Sequence, residues 1–209
     1  EGSGTTAADS SGNNNTGTLV SGPSWTTGKI GGALAFDGGA ARVEVPDPAN
    51  GVLDFGANQQ FSVSVWIKGS DTSQSQHVFN KRNKFVAGYE LAYYPPNLVF
   101  RIDEGTNRDT ALTGSAVLDN QWHHVVVGRN ATQHFLYVDG VLRSTTNDST
   151  LADLSNANPF FISQEINKTT SAWNGSIDDV RVYNKALSGG EVNDLFVAGG
   201  GTPPPPPPP

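Results

Sequence analysis

Over residues 61–68 the chain alternates without a break, with Phe61, Val63, Val65 and Ile67 on one side and Ser62, Ser64, Trp66 and Lys68 on the other. A period of two marks a half-buried strand, because successive side chains of extended backbone point to opposite faces. Shorter segments of the same kind recur at 33–36, 41–45, 89–94, 97–102, 123–129, 134–138 and 177–183, separated by turn-forming residues. Asp139-Gly140, set between Phe135-Leu136-Tyr137-Val138 and Val141-Leu142, predicts a tight hairpin. Many short strands joined by turns point to an all-β fold, a two-sheet antiparallel sandwich. The exception lies near the end, where Ser188 and Glu191 form a capping-box pair ahead of Val192, Leu195 and Phe196, predicting one short C-terminal helix.

A sandwich of this size is expected to be a single unit over residues 1–199. Gly199, Gly200, Gly201 and Thr202 then lead into seven prolines, Pro203 to Pro209. Residues 200–209 therefore read as a Gly/Pro linker to other domains of the same chain, whose polyproline helix would act as a spacer of about 20 Å. The first residue is Glu1, which suggests an excised piece or a mature product.

Composition closes several routes. With no cysteine there is no disulfide and no thiolate nucleophile or metal ligand. A net charge of −7 disfavours a nucleic-acid partner. No apolar run approaches the ~20 residues that membrane insertion by a helix would need. Catalysis lacks its usual constellations. The six glutamates, Glu1, Glu44, Glu90, Glu104, Glu165 and Glu191, form no paired strand pattern, and no Gly-x-Ser-x-Gly is present. No catalytic residue is expected.

Six stretches carry a resemblance: 9–17 (Asp-Ser-Ser-Gly-Asn-Asn-Asn-Thr-Gly), 31–38 (Gly-Gly-Ala-Leu-Ala-Phe-Asp-Gly), 61–68, 122–127 (Trp-His-His-Val-Val-Val), 136–140 (Leu-Tyr-Val-Asp-Gly) and 177–188 (Ile-Asp-Asp-Val-Arg-Val-Tyr-Asn-Lys-Ala-Leu-Ser). In this order they resemble the bacterial laminin-G-like jelly rolls of the concanavalin A-like lectin/glucanase superfamily. The resemblance spans nearly the whole globular part and implies a secreted or cell-surface bacterial protein. It also implies that the Asn-rich loop from Asp9 closes against the last long strand.

Simple alternation over 177–183 places Asp178 with Val180 and Val182, facing inward, where a carboxylate needs a cation or several donors. Asp9, Asn13, Asn15 and Asp178, with the main-chain carbonyl near Gly38, are hard oxygen ligands suited to a structural Ca²⁺ ion. The alternative is that Asp9 and the asparagines form Asx turns while Asp178 accepts backbone hydrogen bonds. His123 and His124 cannot share an ion, since neighbours on a strand point apart.

Glycan binding needs exposed aromatic faces and planar polar groups. Tyr89, Tyr93 and Tyr94 flank Pro95-Pro96, Trp173 sits in the 169–175 loop, and Arg82, Asn83, Asn107 and Arg108 are expected in loops at the same end. Tyr89 and Tyr93 share a face with Leu91, so packing is the competing role. The run Asn80-Lys81-Arg82-Asn83-Lys84 is the basic cluster of an acidic chain, either a site for an anionic glycan or a solvated loop tip. Taken together, these features predict a non-catalytic, calcium-stabilised carbohydrate-binding module that tethers a larger protein to polysaccharide. An adhesion domain for a protein partner and a polysaccharide lyase or glycoside hydrolase are the rivals.

Overall fold

A computed structural model describes residues 2–114 and 116–202. The first five strands are short: β1 (Thr6–Ala7), β2 (Gly17–Val20), β3 (Ser24–Thr27), β4 (Gly32–Asp37) and β5 (Arg42–Val45). The central strands are longer: β6 (Phe61–Gly69), β7 (Gln76–Asn83), β8 (Ala87–Tyr94), β9 (Asn97–Asp103), β10 (Asn107–Thr113), β11 (His123–Arg129), β12 (Gln133–Val138) and β13 (Val141–Asn147). β14 (Phe160–Ile162), β15 (Asn174–Tyr183) and the helix α1 (Gly189–Ala198) complete the chain.

The strands form two antiparallel sheets, one of eight in the order β1-β2-β5-β14-β7-β8-β9-β10 and one of seven in the order β13-β12-β11-β6-β15-β4-β3. Their facing sides make one core. Phe61, Val63, Val65 and Ile67 of β6 meet Tyr89, Leu91 and Tyr93 of β8 and Phe100 of β9, all essentially without solvent exposure. Phe55 stacks on Phe61 at 4.1 Å, and Tyr89 tilts against both. The β12–β13 turn falls at Asp139 and Gly140, with φ of 51° and 77°, the positive values a twisted two-residue hairpin demands.

The other face of β6 is covered as well. Trp66, His124 and Phe196 of α1 form a three-ring cluster, with the Trp66 centroid 5.0 Å from that of His124 and 5.8 Å from that of Phe196, and His124 stacked on Phe196 at 6.2 Å. Ser188 and Glu191 form the expected capping box at the helix start. At its end Gly200, at φ 81°, donates to the Val197 carbonyl and Gly201 donates to that of Phe196. This pair of bonds is a Schellman cap. The boundary expected between residues 199 and 200 thus falls inside the cap, and Gly201 packs on the Phe196 ring. The tract Pro203 to Pro209, expected as a spacer, lies outside the described residues.

Along one side the sheets are joined where β10 meets β13: the Thr146 hydroxyl donates to the Asp109 carbonyl at 2.9 Å, and Thr150 donates to Glu104 at 3.0 Å. Arg108 pairs with Glu104, and beneath them fully buried His134 and Asp148 lie 2.8 Å apart.

Candidate functional site

The face of the eight-stranded sheet turned away from the core carries a row of side chains running across seven strands, all polar except Phe161. The register pairs Thr18 with Glu44, Glu44 with Phe161, Phe161 with Asn80, Asn80 with Glu90, Glu90 with Arg101, and Arg101 with Asp109. Residues paired across antiparallel strands share a face, so one side of each strand supplies the row while its neighbours build the core. In β8, Tyr89, Leu91 and Tyr93 point inward and Glu90, Ala92 and Tyr94 point outward. Beside the row stand His77 and Arg82, and the 163–172 loop brings Glu165 over them.

Glu90 is the hub and is fully buried. It accepts hydrogen bonds from Asn80 (2.8 Å), the Tyr94 hydroxyl (2.9 Å) and Arg101 (3.2 Å), pairs with Arg82 Nη1 at 3.0 Å and lies 3.5 Å from His77 Nε2. Burial by itself would raise this carboxyl, but His77, then Arg82 and Tyr94, outweigh it and hold the carboxyl down at about 2. The Tyr94 hydroxyl moves the other way, pushed well up by burial and by the Glu90 charge beside it. Above the hub Tyr94 and Arg101 are half-buried. Arg101 lies 4.7 Å from the Tyr94 ring centroid and is gripped by both oxygens of exposed Asp109, at 2.6 and 2.8 Å. The Glu165 carboxylate stands 3.9 Å from both His77 and Arg82, beyond direct hydrogen bonding, while the two His77 ring nitrogens lie 3.3 Å from the Ser171 carbonyl and the Tyr94 hydroxyl.

The family profile described as Laminin_G_3, concanavalin A-like lectin/glucanases superfamily, matches residues 37–193. The chain belongs to that laminin-G-like family. A curated relative, the botulinum-like toxin eBoNT/J of Enterococcus sp. (strain 3G1_DIV0629), is 26% identical over 170 residues, 75% of this chain and 13% of the toxin. Among solved structures, the binding domain of Paraclostridial Mosquitocidal Protein 1 superposes with a TM-score of 0.77 at 21% identity, over 91% of this chain and 49% of that one. The binding domain of botulinum neurotoxin serotype G gives 0.75 at 15% identity, over 91% and 48%. Domain 4 of AbnA, a GH43 extracellular arabinanase from Geobacillus stearothermophilus solved with arabinotriose, gives 0.68 at 21% identity, over 90% and 92%. These likenesses establish a shared fold. The laminin-G-like domain spans about half of each toxin binding domain and a small part of the curated toxin.

Within this laminin-G-like domain the expected sugar contacts are redistributed. Tyr89, Tyr93 and Trp173 are core residues with 0–1% exposure and offer no face to a ligand. Tyr89 and Tyr93 follow Leu91 inward, and Trp173 plugs the end of the sandwich with its indole N–H bonded to the Lys68 carbonyl at 3.0 Å. Arg82 and Asn83 sit in β7, and Asn107 and Arg108 in β10, rather than in loops. The basic run is accordingly no solvated tip: Lys81 is buried inward against Asp47 (2.8 Å) and Asp54 (2.9 Å), and Arg82 is buried outward against Glu90. Arg108 is engaged by Glu104 at the β10–β13 seam. Of the predicted set, Arg82 belongs to the outer-face site, and Tyr94, the third tyrosine of the same run, joins it. His77, Glu90, Arg101, Asp109 and Glu165 were missed. The parity that sends Tyr89 inward sends Glu90 outward, a signal present in the sequence.

Asp9, Asn13, Asn15 and Asp178 line one cleft of about 720 Å³, which opens between the sheets on the side away from the β10–β13 seam. Asp178 is not on the inward face. It pairs with outward-facing Trp66, and a bulge between Asp178 and Arg181, with Asp179 at φ 49°, resets the alternation before Val182. Its carboxylate accepts the Ile30 N–H at 2.8 Å and fills the space beside Gly28, where a Cβ would lie 2.5 Å away. Burial raises its pKa. Asp9 accepts from the N–H groups of Ser11 and Asn15, both at 2.9 Å. Gly38 lies apart, at the Asn174 end of the β4–β15 pairing, while Asp178 follows Ile177, which pairs with Leu34. That separation of roughly 10–13 Å along the strands removes Gly38 from the set. Among the described residues no three His, Asp or Glu side chains are grouped to hold a metal.

Proposed function

We propose that this laminin-G-like domain is a non-catalytic carbohydrate-binding module whose ligand lies on the outer face of the eight-stranded sheet. The observation that carries the reading is the two-level construction of that face. Buried Glu90, Arg82 and Asn80 hold one another, and Glu90 orients Tyr94 and Arg101, which in turn holds Asp109 at the surface. A flat aromatic beside planar charged groups suits sugar C–H faces and hydroxyl pairs. Because the cations of the face are matched by carboxylates, the ligand is a neutral rather than an anionic polysaccharide. The arabinanase domain of the same fold, solved with arabinotriose, supports this class of partner. Linked to a larger secreted or surface protein, such a module would raise the local concentration of its neighbours on a polymer.

The proposal includes a calcium ion on Asp9, Asn15 and Asp178, which share the cleft and still have oxygen lone pairs to offer, without Gly38. A second reading, binding of a protein receptor, is supported by the fold shared with a botulinum neurotoxin binding domain solved with rat synaptotagmin II. A glycan array followed by calorimetry on wild type, Tyr94→Ala and Arg101→Ala separates the two. Saturable binding to a neutral glycan, weakened in both variants, supports the module. Wild-type protein that is folded and binds no glycan moves the assignment to a protein receptor.

A further inference from the structure

At the turn between β7 and β8 two consecutive large apolar side chains, Phe85 and Val86, are each 59% exposed. Single exposed apolar residues are ordinary on a protein surface, but here the backbone is unusual too. Phe85 has φ 63°, in the left-handed region that a bulky residue enters only when its surroundings hold it there. Two bonds provide the grip. The Phe85 N–H donates to the fully buried Asp103 of β9, and the Val86 N–H donates to the Asn83 carbonyl. The same Asp103 oxygen lies 4.0 Å from Arg82 Nε, and its other oxygen has no hydrogen-bond partner, so the Phe85 N–H is this acid's hydrogen-bond donor from the turn. A glycine would take the same conformation without strain. The strained position therefore carries a ring that a relaxed turn would lack, with the Lys84 ammonium 5.2 Å from its centroid.

We infer that Phe85 is a sugar-stacking platform at the far end of the glycan face, which makes the ligand an extended neutral polysaccharide rather than a chain terminus. The inference rests on the function proposed above. The turn closes the two strands that carry His77, Arg82, Glu90 and Tyr94. Arg101 pairs with Glu90, three steps or about 10 Å along β8 from Ala87, and the Tyr94 hydroxyl reaches back to Glu90, so the platform and the Tyr94–Arg101 surface are separated by about two sugar units. An aromatic face takes the apolar side of a sugar ring whatever its hydroxyl pattern, which suits the end of a track. Charge argues against an anionic membrane as the occupant, since the chain carries −7 and the neighbouring turn begins at Asp103-Glu104.

The test is calorimetry with a length series of oligosaccharides from whichever neutral polysaccharide wild type binds, using Phe85→Ala, Phe85→Trp, Phe85→Gly and Arg101→Ala. Phe85→Ala is expected to weaken the longest oligosaccharides by roughly three- to tenfold and to leave the disaccharide unchanged. Phe85→Trp should bind at least as well as wild type. Phe85→Gly should show the same length-dependent loss while its Tm rises, an opposition that a merely structural residue would not produce. If wild type binds and Arg101→Ala fails, but Phe85→Ala matches wild type at every length, the platform is overturned and the face stands. If wild type binds no glycan at all, the underlying function fails first. Co-sedimentation of wild type, but not Phe85→Ala, with anionic vesicles would overturn the sugar platform in favour of a membrane contact.

Discussion

Arg82 Nη1 and Glu90 Oε1 lie 3.0 Å apart with both side chains buried, on a sheet face that looks away from the hydrophobic core. Removing one member of such a pair leaves a charge without its partner in a dry site. Glu90→Leu should lose about 3–5 kcal/mol in urea denaturation. Asp109→Ala, whose carboxylate is exposed, should change stability by less than about 1 kcal/mol while still impairing sugar binding. Equal stability losses in the two variants would contradict the division between a supporting layer and a contact layer.

Lys81 repeats this situation on the other side of the same strand, where its ammonium is held by Asp47, Asp54 and the Asn156 carbonyl at 2.7 to 2.9 Å. Lys81→Met should cost about 3–5 kcal/mol, since two carboxylates then face each other without their cation. Adding Asp54→Asn should recover part of the loss. A double variant less stable than the single one would show that the acids are not in conflict.

Two acid-sensitive windows follow from the buried groups. Burial depresses His124 to about 4 from an ordinary 6.5 beneath helix α1, so between those values the unfolded chain takes up the proton and the folded one does not. Stability therefore falls as pH drops from 6.5 towards 4, by about 3 kcal/mol in all. His124→Gln should flatten the Tm-versus-pH curve in that interval. Glu90, held at about 2 against 4.5, contributes stability that is complete above pH 4.5 and disappears as pH falls through 2. A curve unchanged by His124→Gln between pH 4 and 6.5 would refute the first assignment.

Calcium at the Asp9–Asp178 cleft makes a thermal prediction. A hundredfold excess of the ion over its Kd should add about 2.7 kcal/mol, reversed by a chelator and lost in Asp178→Asn. Identical melting curves with calcium and with chelator would remove the ion from the proposal.

Strands β6, β11 and β12, the Asp139-Gly140 hairpin and the capped helix were legible because each obeys one local rule on both of its faces. Strand β7 was not. Its inward side carries Lys81, its outward side carries Asn80 and Arg82, and a register shift near His77 breaks the period, so its residues read as a polar loop. The charges became a strand only through partners distant in sequence, Asp47, Asp54 and Glu90. Exposure of Tyr89, Tyr93 and Trp173 was undecidable for a related reason. Aromatic residues fill cores and sugar sites alike, and only the opposing sheet determines which. At Asp178 a single extra residue in a bulge reversed the side predicted from simple alternation.

The Schellman cap has a mechanical meaning. Any tension entering the domain through Thr202 meets the Gly201 N–H bond to the Phe196 carbonyl before it reaches a strand, and Gly199 is pressed so closely on Trp66 that a Cβ there would lie 2.5 Å from the indole. A pull would peel helix α1 off Trp66 and His124 while the β6 ladders on both sides stayed zipped. The helix would act as a shock absorber in series with the sandwich, yielding first and leaving the outer face of the eight-stranded sheet undeformed.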